Sequence, residues 1–322
     1  MTGLRLNILL FVSLVLAIIL SLAAGKVWVD PSAWWGDDLG ALIIMELRLP
    51  RTLLGAAIGA ALGMAGATMQ GYLRNPLADP GVFGVSSSAA LGAVSSLYFG
   101  YAAAAWLLPA FAMAGAGIGM ALLALLAGRS GSLILFTLAG VILSSLAGSL
   151  TSLMISLAPT PFATTEIVTW LMGALTDRSW DDVKLAVPII ALGMLFLLAT
   201  GRSLDALTLG EDAARSMGVN VPRLQWLAII GVGLTVGASV AAAGIIGFVG
   251  LIVPHLVRPL AGHRPSAVLL PSALAGALLL VLADSLVRIL PTVSELRLGI
   301  AMALIGAPFF MALLFKMRRE LA

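Results

Sequence analysis

Residues 80–128 read PGVFGVSSSAALGAVSSLYFGYAAAAWLLPAFAMAGAGIGMALLALLAG, a run of 49 positions without one Asp, Glu, Lys or Arg. A bilayer core is about 30 Å thick and takes roughly 20 apolar residues of helix to cross. The run is too long for one crossing and long enough for two, with a fold-back at Phe99, Gly100 and Tyr101. Seven more charge-free runs surround it: 6–25, 52–73, 130–165, 185–201, 224–257, 265–283 and 298–315. The run at 130–165 holds one long span that Pro159 and Pro161 stop. The run at 224–257 makes two spans only by borrowing from 222–223 and 258–262, turning at 243–247, so one helix there should be short or irregular. The chain therefore reads as an all-α polytopic membrane protein with about ten transmembrane helices, a single transmembrane domain over 1–322.

Composition agrees. Hydrophobic residues make up 61% and charged residues 10%, against about 45–50% and 25% in soluble proteins. The basic residues are scattered between spans, which argues against nucleic acid. The absence of cysteine excludes disulfides, thiol catalysis and thiolate metal sites. Arg5 ahead of an apolar run, with Ser21, Leu22 and Ala23 behind it, resembles a signal peptide. The run of 20 exceeds the usual 7–15-residue core, however, so a retained first helix is expected.

Ten spans put both termini on one side. Placing them in the cytoplasm puts 11 of the Lys and Arg residues inside and seven outside, as the positive-inside rule requires. Gly55, Gly59 and Gly63, like Gly115 with Gly119 and Gly233 with Gly237, recur at helical spacing and should pack helices closely in lipid.

Enzyme chemistry finds little support. The only histidines are His255 and His263, of which His255 is expected to have a structural or loop role, and no HExxH, intramembrane acid pair or P-loop occurs. The chain is not expected to be an enzyme, to hydrolyse ATP or to bind a metal. Ion-coupled secondary transport usually places Asp, Glu or His within the spans. Here Asp284, near the outer end of the ninth span, is the nearest candidate, and its spacing to Arg288 suits an i,i+4 pair. A transporter with so blank an interior points to energy supplied by a partner ATPase.

Two polar segments stand out. At 204–220, Leu207, Leu209, Ala213, Ala214 and Met217 keep register around Gly210, which suggests two short helices docking into a partner or lying on lipid. Residues 211–217 are expected to present Ala213, Ala214 and Met217 to the partner's groove. On the outer side, Arg48 and Arg51 flank Leu49 and Pro50. Either an acidic partner holds them there or they snorkel to the headgroups.

These residues carry a resemblance. Arg48-Leu49-Pro50-Arg51, Asn75-Pro76-Leu77-Ala78-Asp79-Pro80-Gly81, Leu209-Gly210-Glu211 through Met217-Gly218-Val219, 247–255 (GFVGLIVPH) and 304–309 (LIGAPF) occur in this order. Together they resemble the permease subunits of type II ABC importers, the family that takes up iron–siderophore complexes, haem and cobalamin. The resemblance implies a permease dimer in the cytoplasmic (inner) membrane, made with a second copy or a paralogue. It implies two ATPase subunits on the cytoplasmic side, which hold the ATP and magnesium, and a periplasmic or lipid-anchored binding protein outside. No cofactor is implied in this chain. By position, Arg48, Arg51 and Arg288 look like arginines that meet glutamates of the binding protein. Residues 204–218, including Leu209, Gly210, Glu211, Ala213, Ala214, Arg215, Met217 and Gly218, look like the segment that sits in the ATPase cleft. Asn75, Leu77 and Ser132 match the cytoplasmic gate, and residues 166–173 match a short helix shaping the outer mouth. A path lined by small polar residues such as Ser144, Ser145 and Ser149, continuing to Thr151 and Ser152, suits a large hydrophilic chelate. An iron(III)–siderophore complex is the first expectation, with haem and cobalamin as alternatives. The chain departs from the family at Arg297, where proline is usual, which adds an outer positive charge near Arg288.

Overall fold

A computed structural model describes residues 3–34, 39–101, 104, 106–128, 133–292 and 294–321. All regular structure among them is helical. The charge-free runs become α1 (Gly3–Ala23), α2 (Leu39–Leu42) continued by a π-helical turn (Ile43–Arg48) into α3 (Leu49–Tyr72), α4 (Val85–Tyr98), α5 (Leu107–Ala127) and α6 (Leu133–Ser156). A short α7 (Pro161–Leu171) precedes α8 (Trp180–Ala199). The small α9 (Gly201–Leu207) and α10 (Glu211–Ser216) lead to α11 (Val221–Ala243), α12 (Val249–Val257), α13 (Pro265–Ile289) and α14 (Leu298–Leu321). Local sequence sets many starts. Proline stands in the first turn of α3, α7, α11 and α13, where its missing N–H costs nothing. Thr160, Ser179 and Asn220 cap α7, α8 and α11 by accepting a backbone N–H.

Among the described residues, eight helices are long and apolar enough to cross a membrane. The other two expected spans, α4 and α12, are short, with 14 and 9 residues. Pro80 and Gly84 divert the first residues of the third span into a 3-10 turn before α4 starts. The irregular stretch expected at 243–247 is present: Gly244 and Phe248 both take positive φ, and α12 starts only at Val249. It ends at Val257 without extending into 258–262. Arg48 and Arg51 lie inside a continuous helix from Leu39 to Tyr72.

α3 and α11 form the centre, with α13 beside them, while α1, α5, α6, α8 and α14 expose rows of Leu, Ile and Phe. In a bilayer that arrangement is stable, since lipid is the solvent and every helix satisfies its own backbone. The small-residue spacing does pack helices. A Cβ on Gly59 or Gly63 would strike the backbone of Gly276 or Ser272 on α13, and one on Gly66 the backbone of Gly250 on α12. Gly115 meets α4 at Ser88 and Gly92, and Gly233 and Gly237 meet Met120 and Ala116 of α5.

With the orientation expected from the charge balance, the end carrying Arg48 is termed the outer end and the opposite one the inner end. At the outer end the chain knits three connections together. The Ala174 N–H donates to the Ala243 carbonyl (2.8 Å) and the Gly299 N–H to the Gly173 carbonyl (3.1 Å). The exit of α7, the α11–α12 turn and the start of α14 are thus one unit.

Candidate functional site

At the outer end, α1, α3 and α13 converge on a buried charge network. Arg48 sits where α1 runs out of helical partners. Its Nη1 donates to the Leu22 and Ala23 carbonyls (2.8 and 2.7 Å) and its Nη2 to Val27 (2.5 Å). The guanidinium thus satisfies the orphan carbonyls of α1 and places a positive charge at its C-terminal dipole. Arg51 forks onto Asp284 of α13 through Nε (3.1 and 3.0 Å) and Nη2 (2.9 Å), and reaches Glu295 at 2.9 Å. Arg288, one turn beyond Asp284, forms the expected i,i+4 ion pair (Nε to Oδ2, 3.2 Å) and donates through Nη2 to the Ser21 and Ser285 hydroxyls. Ser21 in turn shares a hydrogen bond with Thr52 (3.0 Å).

The three arginines are only 8, 9 and 4% exposed. Arg48, Arg51 and Arg288, expected to meet glutamates of a binding protein, have their guanidinium groups engaged within this chain. All three are turned inward and join helix ends within the chain, because buried Asp284 and the open carbonyls of α1 are nearer partners than anything outside. Burial pushes the Glu295 carboxyl up, but the hydrogen bonds from Arg51 and Thr176 and the Arg51 charge outweigh it and hold the group below its ordinary range. Above the network opens a cavity of about 520 Å³ whose rim includes Lys26, Glu46 and Arg178.

The inner end carries the segment singled out at 204–220. It forms two short helices about Gly210, whose φ of 103° only glycine accepts readily. Glu211 pairs with Arg215 (2.5 Å), and Gly218, also at positive φ, ends α10. Leu204, Leu207 and Ala214 are buried, whereas Leu209 and Met217 are 69 and 54% exposed and Ala213 is half-buried. The expected contact face is corrected in one respect. Ala214 packs into this chain's own core and anchors the hook, which leaves Leu209 and Met217 as its apolar outward contacts.

Asn75 and Leu77 lie together in the turn between α3 and α4, where the Asn75 carboxamide accepts the Leu77 N–H (2.9 Å). They line a cavity of about 410 Å³ against Phe83 and the first turns of α6, at Leu133, Ile134 and Thr137. In the same turn Asp79 accepts the Gly81 N–H (2.7 Å), and burial pushes its carboxyl up. Ser132 lies outside the described residues. On α6, Ser145, Ser149 and Ser152 are exposed along one stripe, Ser144 is half-buried and Thr151 is turned inward. His255 belongs to α12, not to a loop, and its ring meets the Phe309 ring edge-on at 6.2 Å. No group of acidic or histidine side chains among the described residues could hold a metal ion.

Three participants escaped sequence reasoning. Glu295 and Thr176 close the outer network (3.3 Å apart). At the inner end Asp205 reaches from α9 to the first turn of α13, accepting the Ser266 N–H (2.8 Å), the Ser266 hydroxyl (2.5 Å) and Arg264 (3.4 Å). An acid between Leu204 and Leu207, in the apolar first half of the hook, was the available signal for Asp205. Glu295 stands two residues before Arg297, at the place where the chain departs from the family, but nothing there marked its pairing with Arg51.

An all-helical bundle with eight membrane-length helices among the described residues, a helical hook at one end and a buried ion network at the other defines a polytopic membrane protein. The model of the FecCD transport family matches residues 13–316, and the chain belongs to that family. It is 40% identical over 322 residues to the Fe(3+) dicitrate transport system permease protein FecD of Escherichia coli (strain K12), covering 98% of this chain and 100% of that one. It is 38% identical over 312 residues to the vitamin B12 import system permease protein BtuC of Citrobacter koseri, covering 96 and 94%. A solved inward-facing conformation of an ABC transporter assigned to the metal-chelate type superposes with a TM-score of 0.89 at 33% identity, covering 97% of this chain and 99% of that one. The chain is thus the permease of a type II ABC importer, a membrane-transport component and not an enzyme.

Proposed function

We propose that this permease carries an iron(III)–siderophore complex across the cytoplasmic membrane, powered by ATP and magnesium held on a separate ATPase. The observation that carries the substrate class is the end-to-end match to a permease named for ferric dicitrate. In this reading the exposed Leu209 and Met217 of the inner hook enter a groove on each of two ATPase subunits. A second permease copy or a paralogue completes the path, both termini are cytoplasmic, and a periplasmic or lipid-anchored protein delivers substrate to the outer face. The serine stripe of α6 suits a hydrophilic chelate, because hydroxyls replace water contacts without binding any one group tightly. The vitamin B12 permeases at 38–39% identity favour cobalamin as the second reading. Uptake of radioiron as ferric dicitrate or a hydroxamate, compared with labelled haem and cobalamin in cells expressing the complete transporter, decides between them. Iron-chelate uptake that disappears with the permease supports the proposal; uptake of cobalamin or haem alone overturns it.

A further inference from the structure

The contact between Asp205 and the start of α13 joins two parts that the proposed function requires to move. α13 has no cap of its own, since its N-cap residue is Arg264 and makes no side-chain hydrogen bond to the helix. The carboxylate that fills this role comes from about 60 residues away in sequence, on α9. It accepts both the Ser266 N–H and the Ser266 hydroxyl, and Arg264 pairs with it from the exposed side. A carboxylate over a helix N-terminus satisfies orphan N–H groups and sits favourably in the helix dipole.

Packing around the contact is close. Leu204 and Leu207 of α9 are buried, Gly201 lies against Ser266 and Leu269, and Gly71 of α3 lies against both Leu204 and Pro265. From this point α13 runs 25 residues, about 37 Å, to Asp284 and Arg288 in the outer network. Along the way it is held to α3 where Gly59 meets Gly276 and Gly63 meets Ser272. The hook and the outer network therefore lie against the two ends of α13, and Asp205 is the polar tie at the inner end.

We propose that Asp205 is a positioning residue for transport: its carboxylate makes α13 move with the inner hook, so that a push on the hook is delivered to the membrane helices. The inference rests on the reading of α9 and α10 as the ATPase-docking segment. Without the tie, the hook still binds the ATPase through Leu209 and Met217, but its displacement is lost in the α9–α13 contact.

The test uses the complete transporter in liposomes and measures ATP hydrolysis and substrate uptake together. Asp205→Ala should leave hydrolysis within about twofold of the parent and lower uptake per ATP about tenfold, the size expected when two linked sites lose their coupling. Asp205→Asn keeps an oxygen for the Ser266 N–H and should lie between the two. A readout that a merely stabilising role would not move is the distance between spin labels at Arg202→Cys on α9 and Leu270→Cys on α13, straightforward in a chain without native cysteine. That distance should stay fixed between ATP-bound and nucleotide-free states in the parent, and change between them in Asp205→Ala. If Asp205→Ala fails to assemble, Asp205→Asn and Ser266→Ala carry the test. Graded loss of uptake per ATP supports the proposal, and the parental ratio in both overturns it. A parent distance that shifts between states as much as the variant's also overturns it. Uptake by the unsubstituted chain without ATPase would show that the underlying reading is at fault.

Discussion

Replacing Asp284 with alanine should be the most damaging single change in the outer half of the protein. Its carboxylate, on a residue 2% exposed, takes three hydrogen bonds from Arg51 and pairs with Arg288. After the change Arg51 retains Glu295, but Arg288 keeps only the Ser21 and Ser285 hydroxyls and stays buried with its charge uncompensated. Removing one member of a buried ion pair costs about 3–5 kcal/mol. For a chain of this size each kcal/mol lowers the unfolding midpoint by about 2 °C, so the midpoint should fall by about 6–10 °C. Glu295→Ala is the internal control. Its side chain is 23% exposed and Arg51 keeps the Asp284 fork, so the loss should be about 1 kcal/mol or less. Asp284→Leu combined with Arg288→Met removes both charges and should recover most of the loss, since apolar replacement of a buried pair is often neutral. Tryptophan fluorescence of the detergent-solubilised protein reads all three variants against the parent through its seven tryptophans. Asp284→Ala no worse than Glu295→Ala, or a double variant as weak as the single, would refute the reasoning.

Leu209→Asp together with Met217→Asp should abolish co-purification of the ATPase while leaving the unfolding midpoint of the permease unchanged, because both side chains are exposed. An unchanged ATPase yield would place the docking surface elsewhere. Gly59→Ala should destabilise the chain by about 1–3 kcal/mol through overpacking, since the new methyl meets the α13 backbone, which cannot rotate away. Gly117→Ala on α5, where nothing lies within 4 Å, should be neutral or stabilising by up to about 1 kcal/mol. Equal midpoints for the two alanine variants would contradict the close α3–α13 packing.

The number and order of the long helices were legible in the runs without charge, because crossing lipid leaves no other way to satisfy the backbone. The two short helices were half legible. The glycines of 243–247 announced an irregular α12, while the shortening of α4 depended on Pro80 and Gly84 forming a turn that hydropathy does not register. The hook at 204–220 was visible because Leu207, Leu209 and Met217 keep helical register in a polar connection. Which of its residues face outward was not, since Ala213 and Ala214 are equivalent by composition and only the packing of α10 on the core separates them. The outer arginines were found, but not the partners of Arg48 and Arg51 within the chain. Arg48 and Arg51 are close in sequence to each other, but their partners, the end of α1 and Asp284, are brought near only by the tertiary fold. The Asp284–Arg288 pair was readable because helix geometry alone sets it.

The most direct measurement is substrate accumulation in liposomes containing the permease, with and without its ATPase and ATP on the cytoplasmic face. Spans whose buried charges are paired at one end and the exposed inner hook lead to one expectation: accumulation only when both ATPase and ATP are present, and none by the permease alone under a proton or sodium gradient. Accumulation driven by an ion gradient through the permease alone would contradict it.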